Sequence, residues 1–94
     1  MKVAGQELQF KQDIKLRNEK RVSVLLRDIG SKLADWFGND AATEADLEAI
    51  NAVWQEAASL MFEGDKFPHI DDVGKIVLLE VTEGFFKRGS TAKK

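Results

Sequence analysis

The spacing of the apolar residues changes near residue 20, and this change limits what the chain can form. Residues 8–16 are apolar at the even positions, with Gln12 as the exception: Leu8, Phe10, Ile14 and Leu16. A period of two is typical of a half-buried strand, although a helix extended backwards from the next segment is the alternative, because the polar residues here are good helix formers. A strand would need a partner, either elsewhere in the chain or in a second copy.

From Lys20 to Phe37 the apolar residues recur every third or fourth position instead. They are Val22, Leu25, Leu26, Ile29, Leu33, Trp36 and Phe37. This period predicts an amphipathic helix. Gly38-Asn39 then supplies the left-handed stop expected at its C-terminus.

A second helix is predicted from Thr43 to about Phe62. Thr43 is an N-cap residue, and Asp46 occupies the capping-box position. The apolar stripe of this helix spans about 200° of the helical wheel, which is wider than contact with one neighbour requires. The helix is therefore either the central helix of the monomer or part of an oligomer interface. The candidate interface residues are Leu47, Ile50, Trp54 and Met61.

A third helix is predicted after the Gly64-Asp65 stop and the Phe67-Pro68 connector. Asp71 or Asp72 would cap it, and Gly89 would end it. Apolar residues of this segment point in several directions, and residues 75–81 are β-branched enough to form a strand that pairs with residues 8–16. We favour the helix.

These elements predict a mainly α fold class. We expect a single domain over 1–94, with a strand-like segment at 1–19, a three-helix core at 20–88 and a frayed tail at 89–94. The alternative is an α+β fold in which the N-terminal and C-terminal segments form a small sheet. The chain has 94 residues, of which 44% are hydrophobic and none is cysteine, so one core without disulfides is expected. No apolar run approaches signal-peptide or membrane-span length, which favours a cytoplasmic location and no membrane contact.

Charge is sorted along the chain. The net charge is +4 over residues 1–32, −9 over 33–72 and +3 over 73–94, for a total of −2. Blocks of this kind bear on association rather than on fold. The candidate electrostatic surface has a basic part and an acidic part: Lys11, Lys15, Arg17, Arg21 and Arg27, and Glu44, Glu48 and Glu56.

The chain has few residues or motifs that are typical of catalytic or nucleotide-binding sites. The chain has one histidine, His69, and no cysteine or tyrosine, and it lacks P-loop and dinucleotide-binding patterns. Acidic residues surround His69, but their spacing does not match a calcium loop, and helix capping explains them. We expect no enzyme activity, no metal and no cofactor. Trp36 and Trp54 are expected to pack on one another between the first two helices, or alternatively to anchor a partner.

Trp36-Phe37-Gly38 falls between the first two predicted helices of a chain just under 100 residues long. In this it resembles the WXG100 family of small secreted helical-hairpin proteins. The resemblance implies export through a type VII system as a dimeric four-helix bundle. It covers three residues, and the chain departs from the family by lacking a tyrosine signal and by the interruption at Gly64 and Pro68.

The sequence thus favours a small non-enzymatic protein–protein interaction module, acting as a regulator, inhibitor or assembly factor, as a homodimer or with a protein partner. One alternative is a nucleic-acid-binding regulator that uses the basic N-terminal segment. Interspersed acids and the absence of aromatic residues among the basic ones argue against it. The other alternative is the WXG100-like secreted protein.

Overall fold

The computed structural model describes the backbone of residues 1–91 and the side chains of residues 1–87. A short β-hairpin precedes three helices. The elements are β1 (Lys2–Val3), β2 (Gln6–Glu7), α1 (Leu16–Gly38), α2 (Glu44–Met61) and α3 (Ile70–Thr91). The prediction of a mainly α, three-helix fold with a strand-containing N-terminal segment is confirmed. The predicted frayed tail is α3 backbone as far as Thr91, and residues 92–94 lie outside the described part.

The sheet lies earlier in the chain than predicted. β1 and β2 pair antiparallel, with Lys2 opposite Glu7 and Val3 opposite Gln6. The turn between them has φ 52° at Ala4 and φ 81° at Gly5, the two positive values of a tight hairpin turn that matches strand twist. The predicted strand over 8–16 was therefore misplaced, and the alternative sheet between the N- and C-terminal segments does not form within the described residues.

The alternation of apolar and polar residues over 8–16 reflects which side chains are buried, and most of these residues do not lie in a strand. Leu8 is buried, and Phe10 and Ile14 are half-buried against the helices. The Leu8 backbone continues the hairpin through hydrogen bonds with Met1, and Phe10 forms an isolated β-bridge with Phe62. The last apolar residue of the pattern, Leu16, is 82% exposed because it is the first residue of α1. The segment thus covers one side of the helices with its side chains.

α1 begins four residues before its predicted start and ends where the sequence indicated. Val22, Leu25, Leu26 and Ile29 form its buried face. The helix ends at Gly38, but the next residue, Asn39, is extended with φ −114°, so the left-handed stop was wrong. At Asn39 the chain has an extended conformation in place of the left-handed residue that was predicted.

α2 is the central helix, with α1 and α3 packed against it. Its capping box forms as predicted, and the Thr43 amide donates to Asp46 Oδ2 at 3.0 Å. The wide apolar stripe is used within the chain, because its buried residues face α1, α3 and the N-terminal segment together. They are Ile50, Trp54, Ala57, Ala58, Met61 and Phe62.

α3 is a helix with one break. Gly74 has φ 76° and ψ 164°, and it separates a first turn from the longer helical stretch after it. The strand alternative for residues 75–81 is therefore wrong. The caps predicted from Asp71 and Asp72 are also wrong, because both residues lie inside the first turn. The helix continues through Gly89, which was the predicted stop.

Candidate interaction surface

Three of the four candidate interface residues on α2 belong to the core. Ile50, Trp54 and Met61 are buried inside the single chain. Leu47 is half-buried and packs against the edge of the core. The width of the α2 stripe therefore gives no argument for a partner on α2.

Exposed large apolar side chains lie on α1 and on α3. Those of α1, Leu16, Val24 and Phe37, are spread over the length of the helix, whereas those of α3 share one side. Ile76, Leu79 and Phe86 are 73%, 57% and 48% exposed. At 100° per residue they fall within about 80° of one another on the helix. With the charged residues between them they form what we call the α3 outer face: Ile76, Leu79, Glu80, Glu83, Phe86 and Lys87.

The opposite side of α3 packs into the core through Leu78, Val81 and Phe85. Ile76 lies about 140° from Val81 and about 180° from Phe85 on the helix, so it is exposed where those two residues are buried. Gly74 breaks α3 after its first turn, and in the helical stretch that follows Leu78 and Phe85 lie within about 60° of Val81 on the buried side. The scattered apolar residues over 73–88 were the sequence signal for this second apolar face.

A small cleft lies where the end of α1 meets the start of α3. Its volume is about 150 Å³. The lining residues are Leu33, Trp36, Phe37, Leu47, Ile70, Asp71, Gly74 and Lys75. Lys75 Nζ lies 5.5 Å from the centroid of the exposed Phe37 ring, in a cation–π contact that covers one edge of the cleft. Of the predicted interface residues, Leu47 lines this cleft.

The two tryptophans donate hydrogen bonds to loop carbonyls and do not pack against each other. Trp36 Nε1 donates to the Thr43 carbonyl at 2.9 Å, across the turn between α1 and α2. Trp54 Nε1 donates to the Pro68 carbonyl at 2.7 Å, in the connector before α3. Among the described side chains the ring contact of Trp36 is with Phe37, so the expected packing of the tryptophans on one another is wrong.

Part of the predicted electrostatic surface is paired within the chain. Arg21 Nε and Nη2 both donate to Glu56 Oε2, at 3.0 and 2.8 Å, and join α1 to α2. Lys11 Nζ donates to the Ser59 carbonyl at 2.9 Å. The basic N-terminal part and the acidic α2 therefore contact each other within one chain, at its surface, through Arg21 and Glu56. The remaining basic and acidic candidates, except Glu48, have exposed side chains and form no ion pair among the described residues: Lys15, Arg17, Arg27 and Glu44.

The single histidine has both ring nitrogens engaged. His69 Nε2 lies 2.7 Å from Glu48 Oε2, and the Asp71 amide donates to His69 Nδ1 at 3.0 Å. The second contact is that of an N-cap residue, so His69 takes the capping role that the sequence gave to Asp71 or Asp72. Within the described residues no group of three or more His, Cys, Asp or Glu is arranged to hold a metal ion. None of the described helices is long and apolar enough to cross a membrane.

Comparison with known proteins adds no relative. No protein-family model matches the chain. The search of curated proteins found no match, and the search of solved structures found none either. The function is therefore argued from the surface of the chain itself.

Proposed function

We propose that this chain is a small non-enzymatic protein–protein interaction module, a regulator, inhibitor or assembly factor, whose contact surface is the α3 outer face. The observation that carries the proposal is the exposure of Ile76, Leu79 and Phe86 on one side of one helix. Contiguous exposed apolar side chains flanked by charges are typical of protein-binding surfaces. We propose further that the protein acts in the cytoplasm, as an oligomer or with a protein partner.

The packing of α2 supports this choice of surface. Ile50, Trp54 and Met61 already fill the space between α1 and α3, so a partner would have to unfold the domain to reach them. The α3 outer face needs no such rearrangement. The proposed interface therefore moves from the central helix to the third helix.

Two contacts support a non-enzymatic role. A catalytic histidine needs a ring nitrogen that can exchange a proton with a substrate. In this chain the Nδ1 of His69 accepts the Asp71 amide and its Nε2 contacts Glu48, which gives the ring a structural task at the start of α3.

The nucleic-acid alternative is less well supported. Arg21 is paired with Glu56, and Lys11 with the Ser59 carbonyl, so two of the basic candidates are oriented toward the protein. Phosphate recognition gains from several cations on one accessible surface. The exposed basic candidates are Lys15, Arg17 and Arg27, and no aromatic residue lies among them in the sequence.

The resemblance to secreted helical hairpins is also less well supported. Trp36, Phe37 and Gly38 are the last residues of α1 rather than a turn between helices. Residues 44–91 form two helices, since α2 ends at Met61 and α3 begins at Ile70. A hairpin of that family would need one long second helix.

Site-specific photo-crosslinking tests the proposed surface. A benzoyl-phenylalanine placed at Leu79, at the middle of the α3 outer face, should give discrete covalent adducts in cells that express the protein. The matched control is Val24, which is also exposed but lies on α1. Adducts from position 79 and none from position 24 would support the proposal. No adduct from position 79, or the same adducts from both positions, would contradict it.

A further inference from the structure

We infer that the partner of the α3 outer face is a second copy of this chain, packed antiparallel through α3; this inference rests on the proposed function. The face carries its apolar and charged residues at matching separations. Leu79 and Phe86 are seven residues apart, and so are Glu80 and Lys87. The two members of each pair lie on one line along the helix, about 10.5 Å apart at a rise of 1.5 Å per residue.

Such a pattern is complementary to itself when reversed. A two-fold axis beside residues 82–84 places Leu79 against Phe86 of the second copy and Phe86 against its Leu79. The same axis brings Glu80 beside Lys87 of the second copy, and Lys87 beside its Glu80. It also brings Glu83 close to Glu83 of the second copy, which is one like-charge contact at the centre of the interface. Each apolar contact and each ion pair therefore occurs twice, as a two-fold interface requires.

A parallel arrangement gives the opposite electrostatics. In register, it would set Glu80, Glu83 and Lys87 each beside its own counterpart, which gives like-charge contacts at all three positions, whereas the antiparallel arrangement has one such contact, at Glu83, and two attractive pairs. Charge thus selects the antiparallel orientation, while the apolar residues supply the driving force in both. Lys87 also has an interaction within its own chain, and because its side chain is exposed it can turn toward a second copy without disturbing the core.

Ile76 extends the contact beyond these pairs. It lies one turn before Leu79 and Glu80, on the same face, and it is the most exposed of the three large apolar residues. In the antiparallel register Ile76 extends the contact past Phe86 of the second copy. The contact is then a two-helix seam at least as long as the span from Ile76 to Phe86, about 15 Å.

Cysteine crosslinking reads the orientation directly, because the natural chain has no cysteine. Leu79→Cys and Phe86→Cys are prepared separately, and oxidised alone and as a mixture. The antiparallel register predicts a mixed disulfide dimer, recognised by its mass, and little dimer from either variant alone. Identical positions are then offset by about 10.5 Å, beyond the separation a disulfide spans. Dimers within each variant and none between them would overturn the antiparallel arrangement.

Charge variants give a second measurement without replacing an apolar residue. Glu80→Lys alone and Lys87→Glu alone should each raise the dimer dissociation constant, roughly tenfold at low salt, because two attractive pairs become repulsive. The double variant Glu80→Lys/Lys87→Glu should restore wild-type association. Lys15→Glu, which changes the charge away from this face, is the control and should have no such effect.

The outcomes separate this inference from the proposed function. A chain that sediments as a monomer at high micromolar concentration overturns the second copy as partner, as does a double variant that fails to recover association. The proposed function survives both results if the photo-crosslinker at Leu79 still captures a different protein of defined mass. If the crosslinker captures nothing, both proposals fail.

Discussion

At the scale of single residues, the polar side chains of this domain are used mainly to hold the connections between helices. Trp36 fixes the turn before α2, and Trp54 fixes the connector before α3, each through its indole N–H. Asn51 Oδ1 accepts from the Ile70 amide at 2.9 Å, and His69 accepts from the next amide. The first turn of α3 is therefore attached to α2 by hydrogen bonds that sequence periodicity does not reveal.

The cap at His69 gives a residue-scale prediction. Because Nδ1 accepts the Asp71 amide, the neutral ring should carry its proton on Nε2, which ¹⁵N chemical shifts of the imidazole report. His69→Ala should lower the free energy of unfolding by about 1 kcal/mol, as loss of an N-cap does. His69→Asn should recover most of it, since asparagine caps well. Equal urea denaturation midpoints for the two variants would contradict the capping role.

At the scale of elements, periodicity located the helices and failed at two specific points. The helical spacing over 20–37 and 44–62 reflects burial against neighbours that are present, so both helices formed where expected. The alternation over 8–16 also reflects burial, but the backbone of Leu8 pairs with Met1 as a continuation of the hairpin, and Phe10 forms an isolated bridge with Phe62. A pattern of side chains specifies which residues are inside and leaves open how the backbone is paired.

The second failure came from one glycine. Gly74 interrupts α3 with φ 76° and ψ 164°, which the sequence analysis did not predict. The φ and ψ of Gly74 are available almost only to glycine, and a glycine within a helical pattern signals this weakly. The break could therefore not be derived from the sequence, whereas the apolar residues of this segment that point in several directions were a signal for the α3 outer face.

Two glycine substitutions test this account of the helices. Gly30 is helical, and a Cβ there would meet nothing within 4 Å, so Gly30→Ala should stabilise the protein by roughly 0.5–1 kcal/mol. Gly74→Ala is also free of contacts but would force alanine to φ 76°, so it should destabilise by about 1–3 kcal/mol. Thermal or urea unfolding compares the two. Stabilisation by both substitutions would mean that α3 is unbroken at Gly74.

At the scale of the whole molecule, the charge segregation has two different uses. The basic N-terminal part and the acidic α2 are joined by the pair Arg21–Glu56, which is about half-exposed and is expected to contribute no more than about 1 kcal/mol. The charged residues of the α3 outer face, in contrast, are exposed along a single helix. Charge near α2 therefore orients helices within the chain, whereas charge on α3 can orient a second copy.

Association through the α3 outer face should also make the stability of the protein depend on its concentration. Leu79→Glu removes an exposed apolar side chain, so it should leave the unfolding of a dilute monomer almost unchanged, as surface substitutions do. At high concentration the same variant should lose the extra stability that association gives the wild type. Val24→Glu, on α1, is the matched control and should keep that concentration dependence. A large loss of monomer stability in Leu79→Glu would place this residue in the core.

The most direct measurement of the central claim is a concentration series of ¹H–¹⁵N spectra of the wild-type chain. We predict that amide shifts change between low and high micromolar concentration along residues 75–87 of α3, and that the amides around Ile50 and Trp54 stay constant. The Leu79→Glu variant should show no concentration-dependent shifts along residues 75–87. Shifts concentrated on α1, or spectra of the wild type that are identical at all concentrations, would contradict the account.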